Sequence, residues 1–176
     1  MNYGSKREVT ILIAEDDDGH AELIRDNLHE AGLRNPLIRF RDGQETLDFF
    51  FGPVAGDAPR REPGLAYLLL LDIRMPKVDG VAVLKRIKAA SELKNMPVIM
   101  LTTTDDPREI RTCYDLGCNC YVTKPVDYEK FSDILTRLGL FLLVVQVPQL
   151  NGEPCSPIRW GGDVLVTGSI TIPEAN

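Results

Sequence analysis

The sequence predicts an α/β domain, a five-stranded parallel sheet with helices on both faces. Two observations lead to this prediction. Short apolar runs typical of buried strands alternate along the chain with segments whose apolar residues recur at helical spacing. Three of these runs also end directly in charged residues, as expected where parallel strands deliver functional groups to their carboxyl edge. A chain of 176 residues suits one such domain with a small appendage.

The first part of the chain predicts two strands and two helices. The apolar run 9–14 forms the first strand, and residues 19–30 have helical spacing up to a stop at Gly32. A short strand at 37–40 and a helix at 44–51 follow.

A loop rich in proline, glycine and charge then breaks the rhythm at residues 52–64. A loop of this length is either functional or mobile. The pattern resumes with three strands, predicted at 67–71, 97–101 and 120–123. The helices that alternate with them open at 79–80, span 107–116, and run from Tyr128 to a stop at Pro148.

The C-terminal part departs from an ordinary surface helix. Beyond Gly139 the last helix is apolar on every face, and a β-like run follows at 164–172. We place the domain at residues 8–147 and a tail or dimerisation arm at 148–176. Either the tail is a disordered extension, or it forms a homodimer contact with the apolar helix end, which the apolar surface favours. The candidate contact residues are Phe141, Leu142, Val145 and Trp160.

Composition and charge argue against several classes of protein. The net charge of −6 at pH 7 argues against non-specific nucleic-acid binding, and no stretch has the length of a membrane span. The N-terminus lacks the apolar core of a signal peptide, so we expect a cytoplasmic protein. The four cysteines form neither a disulfide framework nor a structural zinc site, and we expect small buried side chains. They are Cys113, Cys118, Cys120 and Cys155.

Polar residues of complementary kinds follow the predicted strands at one edge of the sheet. Glu15 and Asp16 follow the first strand, and Asp72 follows the third. Thr102 ends the fourth strand and Lys124 follows the fifth. A single acid at a strand end is usually a helix cap, but this ordered set is hard to attribute to chance. We therefore expect these five side chains to lie together.

The chemistry that fits this set is phosphoryl transfer assisted by a hard divalent cation. Carboxylate oxygens are ligands of magnesium, which commonly bridges to phosphate. A carboxylate such as Asp72 is also a nucleophile toward phosphorus and would form an aspartyl phosphate. Lys124 would supply a further positive charge to the phosphoryl group, and Thr102 would supply a hydroxyl donor.

In these residues the chain resembles the receiver domains of two-component response regulators, over residues 8–145. The motifs that carry the resemblance are Leu-Asp-Ile-Arg-Met-Pro-Lys-Val-Asp-Gly at 71–80, Pro-Val-Ile-Met-Leu-Thr-Thr at 97–103 and Tyr-Val-Thr-Lys-Pro at 121–125. The resemblance implies a flavodoxin-like, doubly wound fold. It also implies a phospho-acceptor signalling protein, with only self-phosphorylation and slow self-dephosphorylation as chemistry.

The resemblance assigns a role to each matching acidic residue. Asp72 would accept the phosphoryl group from a phosphohistidine on a sensor histidine kinase. Asp16 would bind magnesium directly and Glu15 mainly through water. The main-chain carbonyl of Arg74 would be the third protein ligand.

The resemblance also implies a switch at the other end of the site. Lys124 would bind the phosphoryl group, and its bond to Pro125 would be cis, an isomer that proline nearly alone permits. Thr102 and Tyr121 would form the switch pair. Thr102 would move toward the phosphoryl group, and the Tyr121 ring would turn into the space vacated, which changes a protein-interaction face. Plain packing is the alternative interpretation of Tyr121.

Finer features resemble the single-domain regulators that partner bacterial phytochromes and related histidine kinases. These features are the loop at 52–64 and the apolar end of the last helix. The implied partner is a bacteriophytochrome-like kinase. The alternative to an end-point regulator is a relay that passes phosphate to a histidine phosphotransfer protein.

Three other functions fit the sequence less well. A haloacid-dehalogenase-like phosphatase would carry a second aspartate at position 74, where this chain has arginine. A nucleotide- or flavin-binding module would need a glycine-rich or hydroxyl-rich loop after the first strand, where residues 15–18 are all acidic. A scaffold receiver that is never phosphorylated finds no support, because all the key residues are present.

Overall fold

In this computed structural model, which describes residues 9–150 together with 156 and 157, the chain folds around a sheet of five strands. The strands are β1 (Val9–Ala14), β2 (Leu37–Phe40), β3 (Ala66–Leu71), β4 (Val98–Thr102) and β5 (Cys120–Thr123). The helices are α1 (Asp18–Glu30), α2 (Gly43–Phe51), α3 (Gly80–Ala89), α4 (Pro107–Asp115) and α5 (Tyr128–Leu142). The strand order is β2-β1-β3-β4-β5, with every neighbouring pair parallel. The predicted five-stranded parallel fold is confirmed.

Aspartate caps set the starts of the helices. Before each of the five helices, an aspartate side chain accepts a hydrogen bond from a main-chain N–H of the first turn. The caps are Asp17, Asp42, Asp79, Asp106 and Asp127. Because the cap lies directly before the helix, α1 begins at Asp18 and α2 at Gly43, each one residue earlier than the spacing predicts.

Helices cover both faces of the sheet and bury a separate core on each. The core under α1 and α5 includes Ile11, Leu68, Leu70, Leu28 and Leu135. The core under α2, α3 and α4 includes Leu12, Leu69, Leu71, Phe50, Leu84 and Cys113. Alternate residues of β3 therefore belong to opposite cores, and the strand is buried along its whole length. This is why the inner strands read as continuous apolar runs rather than alternating ones.

The last helix ends earlier than predicted. α5 stops at Leu142 rather than near Pro148, and a short strand β6 (Gln146–Val147) follows and pairs antiparallel with β7 (Ser156–Pro157). Val147 is buried in the core under α1 and α5. The chain turns after Leu142 because this turn, unlike a longer helix, returns apolar side chains to the sheet.

The start of the tail packs against the domain at the edge opposite the carboxyl ends. Gln149 forms an antiparallel bridge with Ala66 at the beginning of β3, and the Leu150 amide donates to the Leu65 carbonyl at 3.3 Å. The predicted β-like run at 164–172, with Cys155 and Trp160, lies outside the described residues.

The loop at 52–64 is anchored to the end of α2. The amides of Arg60 and Arg61 both donate to the Phe49 carbonyl, at 3.0 and 3.1 Å. The Arg61 side chain donates to the Phe50 carbonyl at 3.0 Å and pairs with Glu92. The loop therefore lies at the end of α2, away from the carboxyl edge where the predicted site residues gather.

The cysteines of the described residues are unpaired. Cys113 and Cys118 are buried and Cys120 is half-buried, and all three thiols are free. Burial raises the pKa of Cys118 to about 11, so its thiol is neutral at physiological pH. Among the helices described here, none has the length and apolar character needed to cross a membrane.

Candidate functional site

The predicted site residues meet at the carboxyl edge because backbone pairing continues past the strand ends. The Glu15 amide donates to the Phe40 carbonyl at 3.0 Å, just beyond β1. The Asp72 amide donates to Ala14 at 3.0 Å, and the Lys124 amide donates to Thr102 at 2.7 Å. Each functional residue is thus fixed by the neighbouring strand rather than by a free loop.

A buried group of three charges forms the centre of the site. The Lys124 ammonium contacts the carboxylates of both Glu15 and Asp72, the latter at 2.9 Å. The side chains of Lys124, Glu15 and Asp72 are only 1%, 2% and 8% exposed. One ammonium therefore faces two buried carboxylates, which leaves the group one positive charge short. Burial raises the pKa of Glu15. The negative charge of Asp72 also raises this pKa, whereas the pairing with Lys124 lowers it.

The acidic side chains are close enough to share one cation. Carboxylate oxygens of Glu15, Asp16 and Asp72 lie within 4.8 Å of one another, and Asp16 is exposed to solvent. The donor set consists of oxygen atoms with an excess of negative charge, which fits a hard divalent cation. Burial of an unpaired carboxylate is costly, so a cation at this position would relieve the charge excess. These residues could therefore hold a divalent metal ion.

Main-chain donors hold the Asp72 side chain from its other side. One carboxylate oxygen of Asp72 accepts from the Ile73 amide at 2.7 Å and from the Arg74 amide at 3.4 Å. The other oxygen accepts from Lys124. The carboxylate is thus oriented before any ligand binds. The Arg74 side chain turns to α4, where it pairs with Glu109 at 3.1 Å.

Thr102 and Tyr121 lie on adjacent strands next to this centre. Thr102 is wholly buried, and its hydroxyl oxygen has no hydrogen-bond partner among the described residues. A buried hydroxyl without a partner is costly, so it is poised to donate to an incoming acceptor. The half-buried Tyr121 donates its phenol to the Thr104 carbonyl at 3.0 Å. Burial, with Glu109 adding to it, raises the pKa of Tyr121 to about 12, so the phenol remains a donor.

Two predictions about individual residues are wrong. The Lys124–Pro125 peptide bond is not cis, since the described residues contain no cis bond. Trans is the lower-energy isomer even before proline, by about 0.5–1 kcal/mol. Leu142 is wholly buried in its own domain and is not a surface contact residue, because the chain turns at that point and closes over it. Phe141 is 54% exposed, and Val145 is half-buried against the core.

Sequence reasoning missed Arg39 and explained Gly80 only as part of a motif. Arg39 on β2 donates to main-chain carbonyls of the acidic loop, and a lone arginine in an edge strand gives no sequence signal for this. A Cβ on Gly80 would lie 2.0 Å from the Asp72 carbonyl oxygen. The glycine in the Asp-Gly pair thus permits the close approach of α3 to the end of β3.

The comparison with known proteins agrees with this geometry. The sequence profile of the response regulator receiver domain matches residues 11–136. Response regulator Rcp1 from Synechocystis is 35% identical over 125 residues, which are 70% of this chain and 82% of Rcp1. Its Mn²⁺-bound crystal structure covers 79% of this chain and 98% of that one, with 29% identity and a TM-score of 0.68.

Two further solved structures are similar over most of their length. A response regulator receiver domain from Rhodospirillum rubrum is 47% identical, with a TM-score of 0.75, and covers 80% of this chain and 97% of its own. The phosphorylated cyanobacterial phytochrome response regulator RcpA is 30% identical, with a TM-score of 0.69, and covers 81% and 99%. The parallel sheet, the buried Lys124–Asp72 pair and the acidic cluster at one edge agree with the profile match over residues 11–136. The chain therefore belongs to the response regulator receiver domain family.

Proposed function

We propose that this chain is a two-component response regulator that accepts a phosphoryl group on Asp72 from a sensor histidine kinase. The observation that carries the proposal is the site itself. A carboxylate, Asp72, lies at 2.9 Å from a buried ammonium, beside two more acids and a threonine hydroxyl that has no partner among residues 9–150. Each of these groups finds a use in phosphoryl transfer to a carboxylate, and no simpler function uses all of them.

The transfer follows from the position of the Asp72 carboxylate. One of its oxygens attacks phosphorus, the bond between phosphorus and the histidine nitrogen of the donor breaks, and the electron pair stays on that nitrogen. The Ile73 amide and Lys124 hold the nucleophile in orientation during the attack. The Lys124 ammonium then balances the charge on the phosphoryl oxygens.

Magnesium is the metal that we propose for the acidic cluster. Asp16 and Asp72 would bind it directly, Glu15 mainly through water, and the Arg74 carbonyl would complete the set. When bound, the ion supplies neutralisation of charge on the transferring oxygens. The Mn²⁺-bound form of Rcp1 shows that a similar protein takes a divalent cation.

The switch that we propose runs from Thr102 to Tyr121. The Thr102 hydroxyl, which has no hydrogen-bond partner within the described part of the chain, would donate to a phosphoryl oxygen on Asp72. The Tyr121 ring would turn into the space that Thr102 leaves and would give up its bond to the Thr104 carbonyl. The face formed by α4, β5 and α5 would then change, so that phosphorylation shifts the population between two forms.

The proposed donor is a bacteriophytochrome-like kinase. Two similar proteins support this choice: RcpA is a phytochrome response regulator by its name, and a bacteriophytochrome response regulator, AtBRR, shares 36% identity with a TM-score of 0.58. We further propose a homodimer formed through the end of α5 and the tail. Leu140, Phe141 and Val144 support it, because they expose 52%, 54% and 70% of their area at the end of α5.

Acetyl phosphate tests the central proposal without a kinase. With magnesium present, intact mass is expected to show one added phosphoryl group on the wild type. The gain is expected to vanish in EDTA and in Asp72→Asn. Asp115→Asn, at an exposed position on α4, is the matched control and is expected to behave as wild type. A wild type that gains no phosphate would contradict the proposal, and phosphate on Asp72→Asn would place the acceptor elsewhere.

A further inference from the structure

Arg39 holds the loop that carries the acidic cluster. Its guanidinium donates twice to the Glu15 carbonyl, from Nε at 3.1 Å and from Nη2 at 3.0 Å. Nη2 also donates to the Asp16 carbonyl at 3.2 Å. The remaining nitrogen, Nη1, donates to the Asp18 carboxylate at 2.6 Å. One side chain on β2 thus joins three of the four consecutive acids that follow β1.

The loop needs such an anchor because of its charge and its position. Residues 15–18 are all acidic, so their side chains repel one another. The backbone ladder with β2 supports only the beginning of this segment, since its last bond is from the Glu15 amide to Phe40. Beyond that point the planar guanidinium fork of Arg39 supplies the hydrogen-bond donors for the next two main-chain carbonyls, those of Glu15 and Asp16.

From these contacts we propose that Arg39 is a positioning residue for the divalent-cation site, although it is not a ligand. The inference rests on the proposed function, since it assumes that Glu15 and Asp16 bind the metal through their side chains. Arg39 fixes the main chain of both residues and so fixes where their carboxylates can lie. Groups that orient metal ligands commonly change metal affinity by about 10–100-fold when they are removed.

Charge alone predicts the opposite result, which makes the inference testable. A positive guanidinium near a cation site repels the cation, so its removal would tighten binding if charge were the dominant effect. The Asp18 carboxylate, at 2.6 Å, offsets that charge, and the Arg39 side chain is 24% exposed to screening solvent. Loss of the three bonds to the loop carbonyls is therefore the larger effect, and binding weakens.

Arg41 provides a matched control on the same side of the molecule. It also pairs with the Asp18 carboxylate, at 2.9 Å, and is 63% exposed. The Arg41 guanidinium contacts that carboxylate, whereas the Arg39 guanidinium reaches the main chain of the loop. Replacement of Arg41 removes the same charge from the neighbourhood and leaves the fork in place.

The experiment is Mn²⁺ binding to the full chain, measured from the EPR signal of the free ion at fixed ionic strength and without any phosphoryl donor. We expect Arg39→Gln to bind Mn²⁺ about tenfold more weakly than wild type. Arg39→Lys is expected to show most of the same loss, because one ammonium cannot replace the planar fork. Arg41→Gln is expected to stay within about twofold of wild type, as a rim charge does.

Other outcomes separate the inference from the proposed function. Wild-type affinity in Arg39→Lys would mean that charge alone matters, and unchanged or tighter binding in Arg39→Gln would also overturn the inference. If wild type itself binds no Mn²⁺, the proposed metal site fails first. Thermal unfolding in EDTA checks that each variant is folded, and Arg39→Lys carries the test if Arg39→Gln does not fold.

Discussion

The stability of the buried charged group depends on the ammonium of Lys124. It is the cation that faces both Glu15 and Asp72, and all three side chains are at least nine-tenths buried. A buried pair contributes little net stability compared with an apolar replacement, but the loss of one partner leaves the other charge unpaired. In this site the loss of Lys124 would leave two carboxylates facing each other.

We therefore expect Lys124→Met to lower the free energy of unfolding of the metal-free protein by about 3–5 kcal/mol. Urea unfolding in EDTA measures the change. Magnesium is expected to return part of it, since a ligand that binds only the folded state stabilises that state. Lys130→Met, at an exposed position on α5, is the control and is expected to change stability by less than about 0.5 kcal/mol. Equal unfolding midpoints for the two variants would contradict this account.

Protonation of the Glu15 carboxylate is expected to make the stability of the metal-free protein depend on pH. Burial raises its pKa in the folded state above the ordinary value of 4.5, against the pull of Lys124. The folded state then holds the proton more tightly than the unfolded state. The stability from this group is present below the unfolded pKa and is lost as pH rises through the folded pKa.

Glu15→Gln removes this titration and leaves a side chain of similar shape. As pH rises from 4.5 through the folded pKa, we expect wild type to lose free energy of unfolding relative to the variant. Urea unfolding in EDTA across this range gives the difference, with exposed Glu22→Gln on α1 as the control. A difference between wild type and Glu15→Gln that is independent of pH would refute the raised pKa.

At the scale of elements, Gly80 allows the start of α3 to pack closely against the end of β3. Its amide donates to the Ile73 carbonyl at 2.9 Å, and a Cβ would lie 2.0 Å from the Asp72 carbonyl oxygen. Since the obstacle is backbone, the loop that carries Asp72 must move to admit a methyl group. A shift of that loop would displace the phosphorylation site itself.

Gly80→Ala is accordingly expected to slow phosphorylation by acetyl phosphate at least tenfold and to lower stability by about 1–3 kcal/mol. Gly19→Ala is the matched control in α1, where the added Cβ lies 3.3 Å from a carboxylate oxygen of Asp17, a side-chain atom that can move. Its phosphorylation rate is expected to stay near that of wild type. Intact mass against time gives the rate, and equal rates for the two variants would show that the close approach is unimportant.

The elements themselves could be predicted because their signals are local. Apolar runs fixed β1, β2 and β5 to the residue, and caps such as Asp42 account for the small differences at helix starts. The grouping of Asp72 with Lys124 also followed, since parallel strands end at one edge. The role of Arg39 did not, because it depends on where a side chain from an edge strand reaches.

At the scale of the whole molecule, α5 joins two distant regions. It begins at Tyr128, separated by four residues from the end of β5 at the carboxyl edge, and ends at Leu142, where the chain turns back toward the start of β3. A partly buried polar link holds this helix to α1: the Asn27 side-chain oxygen accepts from Ser132 at 2.7 Å and from Thr136 at 3.3 Å. This link fixes the first half of α5 against α1, and the far end of the helix carries exposed apolar residues such as Phe141.

The proposed homodimer depends on the exposed apolar residues at the far end of α5. Leu140, Phe141 and Val144 expose more than half of their area there, whereas Leu142 is wholly buried. We expect Phe141→Glu to weaken dimerisation at least tenfold, since a charge would lie in an apolar contact, with monomer stability nearly unchanged. Light scattering after gel filtration measures the mass over a range of concentrations. Tyr114→Glu, at a 49% exposed site on α4, is the control and is expected to leave the mass unchanged. By contrast, Leu142→Ala is expected to lower the stability of the domain itself by about 2–5 kcal/mol. A dimer that survives Phe141→Glu at low concentration would place the contact elsewhere.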